Sequence, residues 1–198
     1  NGEPEWRRYF KGTRAHNTVT VDGRDQAAQE TGIIWSRPYH AKLLGLKKNN
    51  GRVLISAEHD GYSRLKEPVW HRRDIQLFDE GWLLIRDSFK GKGLHKFEIN
   101  FHLHPEAGLN KQKGWWQINN DGARVYIRLI GNGDFSIIRG LQDPILGWYS
   151  PHYGLKVECN VMSCRKKGSP NEISFFTAIC TKAIIDMKEI QDKFIYFD

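Results

Sequence analysis

Cysteine is scarce in this chain, methionine scarcer still, and no apolar run is long enough to cross a membrane as a helix. The three cysteines, Cys159, Cys164 and Cys180, leave an odd count and show no metal-type pair spacing. They read as buried small hydrophobes. A Cys159–Cys164 or Cys164–Cys180 bridge stays open for an exported protein, so cysteine usage does not fix the compartment. No Gly-x-Ser-x-Gly elbow occurs and the cysteines lack a recognisable histidine context, which leaves nucleophilic catalysis without support. The glycines punctuate turns rather than open a helix, so there is no phosphate-cradling loop. No signal peptide or initiator methionine is visible. The loop-like opening Asn1-Gly2-Glu3-Pro4 is expected to belong to a fragment of something longer.

What is present describes an ordinary globular chain. Its 198 residues are 39% hydrophobic and 27% charged, enough to bury one sizeable core in a single domain spanning residues 1–198. Thirty basic residues against 23 acidic ones give a formal charge of +7. That excess favours polyanionic partners: nucleic acid, anionic polysaccharide or an acidic membrane surface. Nucleic acid rests on charge alone, without a clear OB-type barrel or the aromatic motif of an RNA-recognition sheet, so no nucleic-acid partner is expected. Lys47-Lys48 and Arg165-Lys166-Lys167 sit beside Asn, Gly and Ser and read as solvated turns.

The hydropathy pattern is all-β. Short alternating or apolar runs are predicted as strands at Ile33–Ser36, Ala41–Leu46, Arg52–Glu58, Asp74–Phe78, Trp82–Asp87 and Lys96–His104. The series continues through Trp115–Ile118, Arg124–Leu129, Phe135–Arg139 and Glu172–Thr181. Asn49-Asn50-Gly51, Asp79-Glu80-Gly81, Asn119-Asn120-Asp121-Gly122 and Gly131-Asn132-Gly133-Asp134 are expected to close hairpins. Only Ala183–Lys193 suggests a helix. The expectation is an antiparallel two-sheet β-sandwich with at most one short helix.

The most informative stretch is Arg14-Ala15-His16-Asn17-Thr18-Val19-Thr20-Val21-Asp22-Gly23-Arg24-Asp25-Gln26. Read with a period of two, it is a strand with Asn17, Val19 and Val21 on one face and His16, Thr18, Thr20 and Asp22 on the other. Asp22-Gly23 supplies the turn. A histidine at the mouth of a strand, beside hydroxyls, is available for chemistry or metal binding. This block resembles the start of the strand-rich C-terminal region of heparinase II/III-like polysaccharide lyases. Further landmarks in family order are Trp6–Thr13, His59-Asp60-Gly61-Tyr62, Trp70–Asp74, Phe101–Pro105 and Gly147–Gly154. Beyond Gly154 the resemblance fades, and no function is assigned to Leu155–Asp198.

The resemblance implies a large, supersandwich-like β-domain standing beside an (α/α) toroid that these residues do not encode. Family members cleave uronic-acid polysaccharides by β-elimination, which needs a base for the proton beside the carboxylate, an acid for the leaving oxygen, and neutralisation of the carboxylate. The catalytic groups are expected upstream of Asn1: asparagine, histidine and tyrosine of the toroid, and a sandwich histidine in a His-x-His-x-Asp segment. His16 matches the histidine that completes a divalent-metal site, usually zinc and structural, expected only in the intact protein. Arg14, Tyr9 and Arg8 are candidate contacts to an acidic sugar, because guanidinium forks pair with carboxylates and sulfates and an aromatic ring packs on a sugar face. His102 and His104, two apart on one strand face, form an independent pair that could share a metal or line a polar groove. The parent protein is thus expected to be a carbon–oxygen lyase acting on heparan sulfate- or alginate-like polymers, periplasmic or secreted, with this chain alone inactive. The alternative is a non-enzymatic carbohydrate-binding module, with which basic strand faces and seven tryptophans are compatible.

Overall fold

The computed structural model describes residues 3–31, 34–49 and 51–194. Asn1 and Gly2 of the opening, Ile33 of the predicted Ile33–Ser36 strand, and Asn50 of the predicted Asn49–Gly51 turn lie outside the described residues. In chain order the principal strands are β1 (Val19–Val21), β2 (Ala41–Asn49), β3 (Arg52–Tyr62), β4 (Val69–Phe78), β5 (Trp82–Gly91) and β6 (His95–His102). They continue with β7 (Gly108–Gln112), β8 (Trp115–Asn120), β9 (Ala123–Ile130), β10 (Ser136–Arg139), β11 (Asn160–Gly168) and β12 (Ser174–Cys180). An eight-stranded sheet runs β2-β3-β4-β5-β12-β9-β8-β7, and a four-stranded sheet runs β1-β6-β11-β10. Every pairing is antiparallel. The all-β sandwich is therefore the observed architecture.

Alternation places the core between the sheets. Phe97, Ile99 and Phe101 of β6 meet Ile85 and Phe89 of β5, Ile127 and Leu129 of β9, and Phe175 of β12. Tyr62, Phe97, Ile99 and Phe175 are fully buried, and each such side chain contributes roughly 1.5–3 kcal/mol on leaving water. All three cysteines are buried and unpaired. Burial pushes the Cys159 and Cys180 thiols up to about 11, as suits small core hydrophobes.

Lys47-Lys48 and Arg165-Lys166-Lys167, expected in solvated turns, lie within strands β2 and β11, where cross-strand pairing overrides the local charge run; three further local expectations change. Two α-helices are present rather than one: α1 (Pro4–Lys11) joins the anticipated C-terminal α2 (Met187–Phe194). Pro4 at the first turn, Glu5 behind it and Lys11 at the last turn suit a helix, and Trp6, Tyr9 and Phe10 recur at helical spacing on one side. That side packs on Ile145, Leu146, Cys159 and Val161 against the small sheet. α2 lays Ile190 on the far face of the large sheet, over Phe78, Trp82, Leu84 and Cys180. Secondly, β1 is only Val19–Val21, all buried; the predicted strand's first half is instead a 3-10 turn (Thr13–Ala15) and bends. Finally, Gly131–Asp134 is no hairpin. β9 pairs with β12 and β10 with β11, so this segment carries the chain from one sheet to the other, with Phe135 inserted in the core.

Candidate functional site

The segment after α1 is fixed by a reciprocal clamp. The Thr13 N–H donates to Asp25 Oδ1 at 2.6 Å, and the Gln26 N–H donates to Thr13 Oγ1 at 2.8 Å. Both contacts depend on missing side chains. A Cβ at Gly12 would lie 2.8 Å from Asp25 Oδ1, and one at Gly61 would lie 2.8 Å from the Gln26 carbonyl oxygen. Glycine lets β3 and the opening segment close on the Asp25–Gln26 stretch.

His16 follows the 3-10 turn in an extended conformation and is exposed. It stands in a cleft of about 350 Å³ with Lys11, Thr18, Gln26, Trp35 and Tyr39. Trp35 and Tyr39 are unusually open for their size, at 39% and 38% exposure. Lys11 Nζ lies 5.7 Å from the Trp35 ring centre. An apolar ring, a cation and several hydroxyl and amide groups around one opening can hold an acidic sugar: the ring faces take its C–H surface and the polar groups its oxygens. Sequence reasoning named His16 but did not single out Lys11, Gln26, Trp35 or Tyr39. The signal available was Gln26 closing the same motif block.

The structure does not bring Arg14, Tyr9 and Arg8 to one surface. Arg14 turns inward and forms a bidentate pair with Glu98 (Nε to Oε1 at 2.7 Å, Nη2 to Oε2 at 3.3 Å), and its Nη1 donates to the Ile145 carbonyl at 3.1 Å. Burial alone would raise the Glu98 carboxyl's pKa, but hydrogen bonds from Arg14 and Asn100 and the pair with Arg165 hold it below the usual range. Tyr9 is buried among Trp6, Phe10 and Leu146, and burial pushes its phenol up to about 12. Arg8 alone is solvent-facing; it lines a second cleft.

His102 and His104 do not converge either. His102 Nε2 donates to the Arg14 carbonyl at 3.0 Å, and burial lowers its pKa. His104 Nδ1 accepts the Glu106 N–H at 3.4 Å. Both serve the polar outer face of β6 and the turn after it.

A hydrogen-bonded line that cross-strand register creates was not anticipated. His59 of β3 lies opposite His71 of β4, and Arg73 lies opposite Asp87 of β5. The Gly61 N–H donates to His59 Nδ1 at 3.2 Å, so His59 carries its proton on Nε2. That N–H faces His71 Nδ1 at 3.1 Å, and His71 Nε2 donates to Asp87 Oδ1 at 2.6 Å. The line ends at His59: the Gln26 amide nitrogen 3.2 Å from His59 Nε2 is, with this tautomer, a second donor, and it donates instead to Thr18 Oγ1 at 3.5 Å on the cleft floor. Burial, then the neighbouring His71, lowers His59 to about 4. Burial would raise Asp87, but Arg73 and His71 hold its carboxyl below the ordinary value. Arg73 also donates from Nη1 to the Asn17 carbonyl at 2.7 Å, tying the sheet to the residue beside His16. Arg73, Asp87, His71 and His59 thus brace the floor of the cleft.

As a metal centre the site is incomplete. His16 offers an exposed imidazole, but among the described residues no three His, Cys, Asp or Glu side chains gather to hold an ion. One imidazole does not meet the roughly four ligands of a closed zinc site, so these residues alone do not fit one.

The family model described as heparinase II/III-like, C-terminal, matches residues 1–175. Among solved structures, the fold is similar to heparan sulfate lyase HepC from Pedobacter heparinus (TM-score 0.67, 15% identity, over 90% of this chain and 26% of that one). It is similar to a heparinase III gene product (TM-score 0.68, 18% identity, over 91% and 26%). A further heparinase III structure aligns likewise (TM-score 0.68, 16% identity, over 92% and 26%). At such identities the likeness is one of fold. This chain spans 26% of the length of each of these structures. No curated protein matches it in sequence.

Proposed function

This chain belongs to the heparinase II/III-like C-terminal family, and we propose that it is the sandwich portion of a longer polysaccharide lyase that cuts uronic-acid polymers by β-elimination. The observation that carries the reading is the family match over residues 1–175, with His16 held open beside Lys11, Gln26, Trp35 and Tyr39. On this reading the sandwich supplies one wall of the sugar cleft. Lys11 offsets carboxylate charge, while Trp35 and Tyr39 take a ring face. The acid and base come from a helical domain outside these residues, and the chain alone is inert.

An apolar surface supports such a partner. At the β2 end of the large sheet, Leu46 lies opposite Ile55 and Leu77 sits diagonally from it, exposed to 64%, 39% and 48% respectively. The smaller sheet has too few strands to cover this face, and a docked helical domain would. His16 is the ligand this chain would lend to a divalent ion, zinc by the affinity of neutral imidazole, completed by the rest of the protein and stabilising its assembly. The intact protein is placed in the periplasm or outside the cell, where long acidic polysaccharides are met.

The test is the ultraviolet absorbance of unsaturated uronate ends. The longer polypeptide and the 198-residue chain are each supplied with heparan sulfate and alginate. Product from the longer polypeptide only is the expected result; robust turnover by this chain alone contradicts it. Tight binding without cleavage by either would favour the carbohydrate-binding-module reading, which the open Trp35 and Tyr39 rings support.

A further inference from the structure

We propose that the second cleft is an anion-binding subsite that takes the sulfo or carboxylate groups of an acidic polysaccharide, with Arg24 and Arg37 as its principal contacts. The inference rests on the reading above for the polymer's class and adds a place on the chain where the polymer is gripped.

The cleft has a volume of about 610 Å³, and its wall includes Arg8, Arg24, Arg37, Arg64, Lys66 and a single carboxylate, Asp25. Asp25 offsets part of that charge, acting on Arg64. Its Oδ1 accepts the Thr13 N–H at 2.6 Å, and it forms no ion pair among the described residues. Asp22, at the turn leading into Arg24, is equally committed, holding the Lys96 N–H at 2.9 Å and His95 Nδ1 at 2.7 Å.

The cations divide into a scaffold and two available forks. Arg64 is the scaffold: its Nη1 donates to the Gln26 carbonyl at 3.0 Å and to the Gly61 carbonyl, and its Nη2 donates to the Asp25 carbonyl. Those bonds pin the Asp25–Gln26 stretch onto β3. Burial lowers the Arg64 pKa, Tyr62 and the Asp25 carboxylate oppose it, and the like charges of Arg37 and Arg24 add to the lowering, so each of those two lies within electrostatic reach of Arg64. Arg24 and Arg37 are exposed, and their side chains form no hydrogen bond or ion pair with any described residue; the same holds for the side chains of Arg8 and Lys66. Arg37 keeps its place in the left-handed region, at φ 52°, which L side chains rarely adopt. Asp22 and Gly23, at φ 53° and 65°, form the tight reversal that brings Arg24 to the rim.

Five cations around one carboxylate remain unfavourable until a further anion enters, and a guanidinium fork matches the paired oxygens of a sulfo or carboxylate group. The position fits a polymer. Ala27 lines both this cleft and the one around His16, so one acidic chain can lie across the two.

The experiment measures binding of size-defined heparin oligosaccharides to the 198-residue chain by calorimetry across a salt series. Arg24→Ala/Arg37→Ala is compared with Lys47→Ala/Lys48→Ala, which removes the same charge from exposed strand β2. Arg24→Gln/Arg37→Gln is the second variant, should truncation unfold the loop. The expected result is a loss of about tenfold or more for either arginine pair, a shallower salt dependence, and a near wild-type constant for the lysine pair. Loss of binding to desulfated heparin and to alginate oligosaccharides assigns sulfo groups; retention on both assigns carboxylates; either supports the subsite. Equal losses in the arginine and lysine variants overturn it, as does no loss in either. Single-stranded DNA bound as tightly, with the same arginine dependence, also overturns it by showing a general polyanion surface. Binding is read on this chain and elimination on the longer polypeptide. Binding intact with elimination absent therefore overturns the lyase reading alone, and the reverse overturns the subsite alone.

Discussion

Two charged clusters flank Gln26, and they differ in how their charges are satisfied. On one side Asp87 is fully buried and receives Arg73 and His71, with His59 continuing the line; every group has a partner. On the other, Arg24 and Arg37 stand exposed around Arg64 with no ion pair. A buried, mutually paired network fixes the relation of strands, because any group removed leaves another stranded in low dielectric. An open cluster with an excess of one sign contributes little to folding and gains the rest of its counter-charge from a ligand. The first cluster is structural and the second is for binding.

The largest effect that could break this contrast lies at Asp87. Asp87→Ala leaves Arg73 and His71 without their carboxylate and is expected to cost about 3–5 kcal/mol in urea unfolding. A loss under 1 kcal/mol would show that the paired cluster does not hold the sheet.

The next effect is a pH dependence. His59 titrates at about 4 when folded, below its ordinary 6.5, so between those values the unfolded chain binds a proton that the folded chain refuses. This contribution is whole above pH 6.5, declines as pH falls toward 4, and is gone below. It amounts to something on the order of 2–3 kcal/mol. His59→Gln should flatten that slope in thermal melts taken across the same pH range; an unchanged slope would place the titration elsewhere.

Gly61→Ala sharpens the boundary between the clusters. Its Cβ would meet the Gln26 carbonyl oxygen at 2.8 Å, and the backbone shift needed is expected to cost about 1–3 kcal/mol. Since the displaced stretch carries Arg24 toward the second cleft, oligosaccharide binding should weaken with it. At the small end, His16→Ala and Arg24→Ala/Arg37→Ala remove exposed side chains. Each should leave the unfolding free energy in urea within about 0.5 kcal/mol of wild type, and a larger loss would make these residues structural.

Much of the architecture was legible because period-two patterning and turn residues act locally. The strand expected over Lys96–His104 is present as β6, and Asp79-Glu80-Gly81 is the turn that joins β4 to β5. Three things were not legible. α1 hides behind an opening that scans as loop, since its stability comes from packing on Leu146 and Val161 rather than from its own sequence. The sheet switch at Gly131–Asp134 looks like any hairpin turn until strand partners are known. The His59–His71–Asp87 line depends on cross-strand register, which no single strand encodes. His16 was visible because its motif block is specific. Arg14 shows the converse: its fork suits a sugar carboxylate, yet it is engaged by Glu98, a residue 84 positions away.

Elimination by the longer polypeptide on heparan sulfate, followed by the absorbance of unsaturated ends, tests the account most directly. Steady product formation that drops at least about tenfold when His16 or the Arg24 and Arg37 pair is replaced, with none from the sandwich alone, is the result expected. Full activity from a polypeptide lacking residues 1–198, or none from one that contains them, would contradict it.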